Sequence, residues 1–453
     1  MLIMGIDIGT TTISIILMDT AGKLLKARTT VNHQSFLNGE YPEEKIQDPE
    51  GIWRITKEKM EDLIRMYGMP DGIGLTGQMH GMLYTDEEGN AVSPLYTWQD
   101  GSGNLPLHDK KSSADILKER VGAAAAGYGL TTHYYLQRKG RIPAKARKMT
   151  TISDYIAMKL CGHRSPVISA DMAASFGCFD LEKKRFLYEA LENVGVDTSF
   201  LPDVRKGYCV VGKTEEGVPV MAAMGDNQAS FMGAAGSVCR ESADMKKTAA
   251  FAASQEDTAL INIGTGSQIS FLSETYCPCE GILESRPYME DRYLLVGSPL
   301  CGGRAYAMLE QFYREVSGTE ESFYETMYRQ AREFVGRYGA DAAWKVTTTF
   351  SGTRDNPQER GRIEGISGGN FHPGALTAGV IRGILEELHQ QYVKMCELTG
   401  RRAGRLVGSG NGFRQNPLMQ ELAEEIFGLK AEIPEYQEEA ACGAAMCMET
   451  LLM

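Results

Sequence analysis

The chain opens with an apolar run centred on Ile6 and Ile8 that predicts a β-strand over residues 2–8. Gly9-Thr10-Thr11-Thr12 then reads as a tight turn, residues 13–18 as a second strand, Asp19-Thr20-Ala21-Gly22 as another turn, and residues 23–31 as a third strand. Strands joined by such short turns pair antiparallel, so the opening is a meander and not a βαβ unit. The same pattern returns about 255 residues later, where Ile261-Asn262-Ile263-Gly264-Thr265-Gly266-Ser267 lines up with Ile6-Asp7-Ile8-Gly9-Thr10-Thr11-Thr12. Solenoid repeats span roughly 20–50 residues, so this spacing instead predicts two related domains, each starting with a hairpin whose tip is small and hydroxyl-rich. Elsewhere the period is helical. Leu418, Leu422 and Ile426 share one face, with Glu421, Glu424 and Glu425 turned outward and Gly428 as the stop; Ile381, Leu385, Leu388 and Tyr392 mark another helix, ended by Gly400. Residues 236–259, rich in Ala, Ser, Lys, Glu and Asp, read as a helix-plus-linker junction. Strands and helices mixed in two halves give an α/β class, with domains at 1–235 and 236–453.

Composition narrows this picture. A chain of 453 residues is expected to hold two to four domains. Its 43% apolar and 23% charged residues are an ordinary globular balance, which excludes a disordered or collagen-like chain. Glycine stands out: 50 of 453 residues, about 11% against an average near 7%, with only 16 prolines. The net charge of −12 offers no basic face for nucleic acid. Ten scattered cysteines without a CxxC pair read as reduced thiols of a cytoplasmic protein. The N-terminus meets Asp7 too soon for a signal peptide, and no run of 18 apolar residues suggests a membrane span.

Two glycine motifs match a pattern and fail in context. Gly207 to Thr214 has Walker A spacing, but Cys209-Val210-Val211 is strand-like and Glu215-Glu216-Gly217-Val218-Pro219 cannot open a helix. Gly365-Ile366-Ser367-Gly368-Gly369 has the spacing of a nucleophile elbow, but Asn370-Phe371-His372-Pro373-Gly374 after it is a loop. No histidine pairing supports a metal centre, and Cys277-Pro278-Cys279 reads as two loop thiols.

Other turns carry chemistry. The tip Gly9, Thr10, Thr11, Thr12 offers N–H groups and hydroxyls to phosphate oxygens, with Asp7 beside it to hold Mg²⁺ through water. Gly264, Thr265, Gly266 and Ser267 repeat that composition, and two such tips can clamp a triphosphate. Gly408, Gly410, Asn411 and Gly412, before Asn416-Pro417 and a helix, let a flat group such as adenine lie against the backbone. Gly225-Asp226-Asn227-Gln228 is a turn by propensity and a candidate for a catalytic base. Gln78, Met79 and His80 between Gly77 and Gly81, and Trp98-Gln99-Asp100-Gly101, present the amides, carboxylate and aromatic face that bind polyols.

Taken in order, these six segments resemble the FGGY carbohydrate kinase family over essentially the whole length. The resemblance implies two ribonuclease-H-like domains of the actin/hexokinase ATPase type flanking a deep cleft. It implies Asp226 as catalytic base and Gln78, Met79, His80, Trp98, Asp100 and Asn227 at the sugar. It further implies Gly9, Thr10, Thr11, Thr12, Gly264, Thr265, Gly266, Ser267, Gly408, Gly410, Asn411 and Asn416 at ATP, and Asp7 at Mg²⁺. Thr97-Trp98-Gln99-Asp100-Gly101, Ala126-Gly127-Tyr128-Gly129 and residues 297–303 resemble the branch that phosphorylates sedoheptulose, whereas Ser102-Gly103 departs from relatives that carry Arg after the Asp-Gly pair. The expected partners are a small sugar and, in a homodimer, a second copy, with no nucleic acid and no membrane. Xylulose or another ketose as substrate, a catalytically silent sugar sensor, and a sugar-independent ATPase stay open as alternatives.

Overall fold

The computed structural model describes all residues except 20–22, 109, 241–254, 265, 280, 282, 290, 354–355 and 357, and of 108, 239 and 240 the backbone alone. The chain forms two compact units. The first comprises Met1–Gly236, Arg286–Arg292 and Glu438–Met453, the second Ser237–Ser285 and Tyr293–Gln437.

The first unit begins with the expected meander: β1 (Leu2–Ile8), β2 (Thr12–Asp19) and β3 (Leu24–Val31), antiparallel in that order. The helix α1 (Pro49–Tyr67) starts on an Asp48 cap with Pro49 in its first turn and stops at Gly68. It leads to β4 (Gly72–Gly77), which runs parallel to β1. The helices α2 (Gly129–Arg138) and α3 (Ile152–Cys161), the short strand β5 (Val167–Ser169) and α4 (Ala170–Ser175) follow. Then come β6 (Val210–Lys213), β7 (Pro219–Met221), β8 (Met224–Gly225) and α5 (Asp226–Arg240). The sheet order is β6-β7-β4-β1-β2-β3, with β8 also on β4. Central strands are covered on both faces and therefore read as continuous apolar runs: Ile3, Met4, Ile6 and Ile8 are all buried. The edge strand β3 is largely exposed and polar. Strand β6 occupies the stretch with Walker A spacing, as its β-branched centre requires.

In the second unit β9 (Thr258–Ile263), β10 (Ser267–Ser273), β11 (Leu283–Tyr288, whose residues from Arg286 belong to the first unit) and β12 (Arg292–Gly297, in the second unit from Tyr293) precede α6 (Gly302–Ser317), α7 (Tyr324–Tyr338) and the long α8 (Pro373–Thr399). β13 (Arg405–Ser409), the single turn α9 (Asn411–Arg414), α10 (Pro417–Phe427) and β14 (Ala431–Glu432) complete it. Gly400 and Gly428 end α8 and α10 in the left-handed conformation, as the periodicity predicts. The sheet order is β11-β12-β10-β9-β13-β14, with β13 parallel to β9 and the β9-β10-β12 set antiparallel. The four-strand arrangement β4-β1-β2-β3 of the first unit thus recurs as β13-β9-β10-β12 in the second. Of the junction expected over 236–259, residues 236–240 extend α5, and 241–254 lie outside the described residues.

The last helix, α11 (Glu439–Leu452), lies on the first unit's sheet and shows where part of the glycine excess goes. A Cβ on Gly5 would sit 2.0 Å from the Ala441 carbonyl oxygen, and one on Gly74 2.0 Å from that of Ala444. Gly233 and Gly443 bring α5 and α11 together in the same way, each within 2 Å of the other helix's backbone oxygen if a Cβ were added. These glycines serve close packing of helix on strand and helix on helix. The composition alone suggests ligand loops, which account for a different set.

Candidate active site

Three adjacent parallel strand ends assemble the site in the first unit. Ile8 of β1 lies opposite Gly77 of β4, and Gly77 lies opposite Gly225 of β8. Gly9, Gln78 and Asp226, each one residue past its strand, are therefore delivered to the same edge, the carboxyl end at which open α/β sheets bind ligands. Asp7 stands on β1 opposite Thr76.

The first tip is held by side chains distant in sequence. The Asn32 amide donates to Gly9 O at 3.2 Å, and Asn32 N donates to Thr11 O at 2.8 Å. Gln47 Nε2 donates to Thr10 O at 2.8 Å. Thr10 Oγ1 donates to Gln78 Oε1 at 3.2 Å, and Gln78 Nε2 donates to Gln47 Oε1 at 3.0 Å, closing a ring of three hydrogen bonds. The indole Nε1 of half-exposed Trp98 donates to Thr10 Oγ1 at 3.0 Å. The carbonyls of Gly9, Thr10 and Thr11 are thus held by the scaffold. Thr12 already belongs to β2, opposite Val31.

His80 adopts φ 71°, a left-handed conformation that histidine visits more readily than most residues and that concentrates at functional positions. Its N–H donates to Ser175 Oγ at 3.0 Å. Its Nδ1 lies 2.8 Å from Ser175 O, so Nδ1 carries the proton. The ring stacks on Tyr128, centroids 4.5 Å apart. Met79 is buried against Gly225, where an added Cβ would meet its sulfur at 2.6 Å. Asp100 is enclosed, 1% exposed: Ser102 N and Oγ donate to Oδ1, and Lys45 N donates to Oδ2 at 3.3 Å. Burial pushes its carboxyl above the usual range. Two of these bonds fold its own loop and the third ties it to Lys45, 55 residues earlier.

Asp226 corrects one local reading. Gly225-Asp226-Asn227 favours a turn by composition, yet Asp226 is the first residue of α5, because Gly225 completes β8. Asn227 N donates to Asp226 Oδ1 at 2.7 Å and Asn227 Nδ2 to the same oxygen at 3.1 Å. The helix start favours a carboxylate, but burial dominates and raises the acid's pKa, with Arg286 opposing. Asp7 is pushed up to about 7 by burial first, then by the charges of Asp226 and Glu438. A buried carboxyl raised in this way, with two further carboxylates near enough to repel it, is a position that a hard divalent cation would relieve, so Asp7 fits a Mg²⁺ site. Among the described residues no group of three or more His, Cys, Asp or Glu is arranged as a complete metal cage; Mg²⁺ characteristically keeps much of its water and takes few carboxylates.

The second unit carries a cavity of about 660 Å³, within the usual range for small-molecule sites. Ile263, Gly264, Gly303, Tyr306, Asn411 and Asn416 are among the residues that line it. The parallel pair β9 and β13 ends there, Asn262 opposite Ser409. Gly264 N donates to Gly266 O at 2.9 Å, which closes the tip. Gly303 presses on it, since a Cβ there would lie 1.8 Å from Gly264 O. Gly266 faces open space, and the buried Ser267 hydroxyl has no hydrogen-bond partner among the described residues. Thr265 lies outside the described residues. Asn416 lines the cavity and also caps α10, its Oδ1 accepting from Met419 N at 3.1 Å. Gly408 does not border the cavity: the Phe413 ring covers it, within 2.0 Å of any added Cβ. Gly410, at φ 82°, lets the chain pass the Ile263 backbone. Of the residues expected at adenine, Asn411, Gly412 and Asn416 line this cavity, and Gln415 lines it beside them.

The motifs mark neither Asn32, Gln47, Asp171, Tyr208, Tyr306 nor Gln415. Asn32, Gln47, Asp171 and Tyr306 are single polar or aromatic residues joined to the site by long-range pairing, whereas Tyr208 lies inside the rejected Walker-spaced stretch and Gln415 beside the marked Asn416.

Comparison with known proteins identifies the family. Residues 2–233 match the FGGY family of carbohydrate kinases, N-terminal domain, and residues 259–448 match its C-terminal domain. A sedoheptulokinase of Mus musculus is 27% identical over 497 residues, covering 98% of this chain and 96% of its own, and the Homo sapiens sedoheptulokinase is 26% identical with the same coverage. A xylulose kinase of Staphylococcus epidermidis is 25% identical over 98% of this chain and 86% of its own. Among solved structures, a Brucella ovis protein described as a xyloylose kinase superposes with a TM-score of 0.81 at 20% identity, over 100% of this chain and 90% of that one. A ligand-bound xylulose kinase from Lactobacillus acidophilus superposes at 0.78 with 18% identity, over 100% and 89%. The fold is thus the two-domain actin/hexokinase-type α/β fold, and the chain belongs to the FGGY family of carbohydrate kinases and is a sugar kinase.

Proposed function

We propose that the chain transfers the γ-phosphoryl group of ATP to a terminal primary hydroxyl of a ketose, with sedoheptulose the first substrate and xylulose the second. The observation that carries this reading is the convergence of Asp226, Gln78 and the Gly9–Thr12 tip on one edge of the first unit's sheet. The preference for sedoheptulose rests on the two sedoheptulokinases, which are matched nearly end to end.

In this reading residues 1–235 hold the sugar and the base, and residues 236–453 hold the nucleotide. Asp226 accepts the proton of the attacking hydroxyl. A modest base suffices, because phosphoryl transfer is loose and depends mainly on alignment and charge stabilisation. Gln78 and Asn227 supply amides and His80 an imidazole to sugar hydroxyls, Trp98 an apolar face, and Met79 and Asp100 shape the floor and wall around them. N–H groups at Gly9, Thr10, Thr11 and Thr12, and at Thr265, Gly266 and Ser267, stabilise phosphate oxygens, while Gly264, its N–H held by the Gly266 carbonyl, shapes the second tip. Asn411 and Asn416 line the nucleoside cavity, and Gly408 and Gly410 shape its backbone. Asp7 would hold Mg²⁺, which supplies neutralisation of phosphate charge when bound. A cytoplasmic setting suits the nine cysteines with described side chains, all of them free. Among the described residues no helix is long and apolar enough to cross a membrane.

The test is a panel of ketoses with MgATP, scoring ADP formation and then the position of the phosphate on the product. Sedoheptulose is expected to give the highest kcat/KM. A higher value for xylulose would move the assignment to a pentulose.

A further inference from the structure

The short segment that delivers Asp226 is gripped by three side chains. Asp154 Oδ1 accepts from Ala223 N at 3.0 Å, Ser169 Oγ donates to Ala223 O at 2.5 Å, and Asp171 Oδ2 accepts from Gly225 N at 2.8 Å. Asp171 is 2% exposed and sits in the first turn of α4; its Oδ2 also accepts from the Tyr208 hydroxyl at 3.0 Å. The Tyr208 ring is fixed in turn, edge to face with Tyr288 at 6.5 Å. Asp154 and Ser169 hold the residue three places before Asp226. Asp171 holds the N–H of Gly225, the residue immediately before it, and so the Met224–Gly225 peptide.

We propose that Asp171, braced by Tyr208, is a positioning residue for Asp226: it fixes the Gly225 peptide and thereby the direction of the base at the start of α5. This rests on Asp226 being the base. A carboxylate shared by one amide N–H and one phenol leaves Gly225 no freedom to rotate about its peptide plane. Gly225 is also hemmed by Met79 and Gln228, within 2.6 Å of any added Cβ, so the alternative peptide orientations are closed on that side. Phosphoryl transfer is sensitive to such alignment, where a misplacement of 1 Å can cost about a hundredfold.

The test compares Asp171→Ala, Asp171→Asn, Tyr208→Phe and Asp226→Asn in the full-length protein, measuring kcat and the KM values for ATP and sedoheptulose, with Tm as a control on folding. Asp171→Ala is expected to lower kcat by about ten- to a hundredfold with both KM values within about twofold. Asp171→Asn, whose Oδ1 can accept both donors, is expected to restore most of that loss. Tyr208→Phe, which removes one bond and no charge, is expected to lower kcat by about three- to tenfold. Asp171→Ala and Tyr208→Phe both within twofold of wild-type kcat would overturn the proposal while a dead Asp226→Asn left the base assignment standing. A loss of kcat that follows Tm and is not rescued by Asp171→Asn would make Asp171 merely structural and overturn it too. Turnover retained in Asp226→Asn would remove the base, and this inference with it.

Discussion

The two hairpin tips share a composition and are held in opposite ways. The first, Gly9 to Thr12, is gripped from outside: Asn32 and Gln47 occupy its carbonyls, and Thr10 joins Trp98 and Gln78 through its hydroxyl. Carboxylates at Asp7 and Asp226 stand beside it. The second, Gly264 to Ser267, closes on its own backbone, abuts the Gly302-Gly303 start of α6, and borders a cavity lined by tyrosines, amides and a single carboxylate, Glu325. One hairpin geometry has been recruited twice, once into a charged, tightly networked edge suited to proton and phosphoryl chemistry, and once into a wall of tyrosines and amides with one carboxylate, suited to a nucleoside. What differs is the set of residues that arrive from elsewhere in the chain.

That contrast can be broken most sharply at Asp226. Asp226→Asn is expected to lower kcat by about a thousandfold, within the span typical of losing a general base, with sugar KM nearly unchanged. Steady-state rates on both substrates check this, and near-normal turnover would take the chemistry away from this edge.

The next effect separates the units by their response to acid. His133 of the first unit is fully buried; its Nε2 lies 3.1 Å from Asp197 O and its Nδ1 accepts from the Tyr84 hydroxyl at 2.6 Å, so the neutral ring is required. Burial lowers its pKa from 6.5 to about 4. Between those values the unfolded chain binds the proton and the native protein does not, so this stability is complete above 6.5 and is lost as pH falls towards 4. Wild type should lose about 2 kcal/mol more than His133→Gln between pH 7 and pH 5, at 1.36 kcal/mol per pKa unit. Urea unfolding of both proteins at the two pH values measures the difference, and equal losses would contradict it.

A third change sharpens the second tip. Gly266→Val places its side chain in open space, so Tm should hold while ATP KM rises about tenfold or more, the scale of one charge-assisted hydrogen bond. An unaltered ATP KM would detach this tip from the phosphates. The smallest effect is expected for Trp98→Phe, which removes the bond to Thr10 and should cost about two- to tenfold in kcat/KM.

How much of this was readable from the residues follows from the range of each interaction. The meander, its repeat at 261–267 and the helices stopped at Gly400 and Gly428 depend on local period and turn chemistry, and all of them form. The rejection of the Walker spacing at 207–214 held because strand β6 is encoded locally by Val210-Val211. Asp226 was harder. Its segment has turn composition, and only the pairing of Gly225 with Gly77, 148 residues earlier in the chain, makes it a strand end followed by a helix. Asp171 and Tyr208 carry no local signal, since their partners lie 54 and 37 residues away. The glycine count misled in part for the same reason: Gly5, Gly74, Gly233 and Gly443 are required by the approach of α11, a helix from the far end of the chain.

The most direct measurement is ADP release from MgATP with and without sedoheptulose, for the wild-type chain and Asp226→Asn. A charged edge that performs transfer to sugar predicts ADP formation that requires the ketose, stoichiometric with sugar phosphate, and abolished in the variant. ADP formed at the same rate without sugar, or no ADP with any ketose although sugar and ATP both bind, would contradict it.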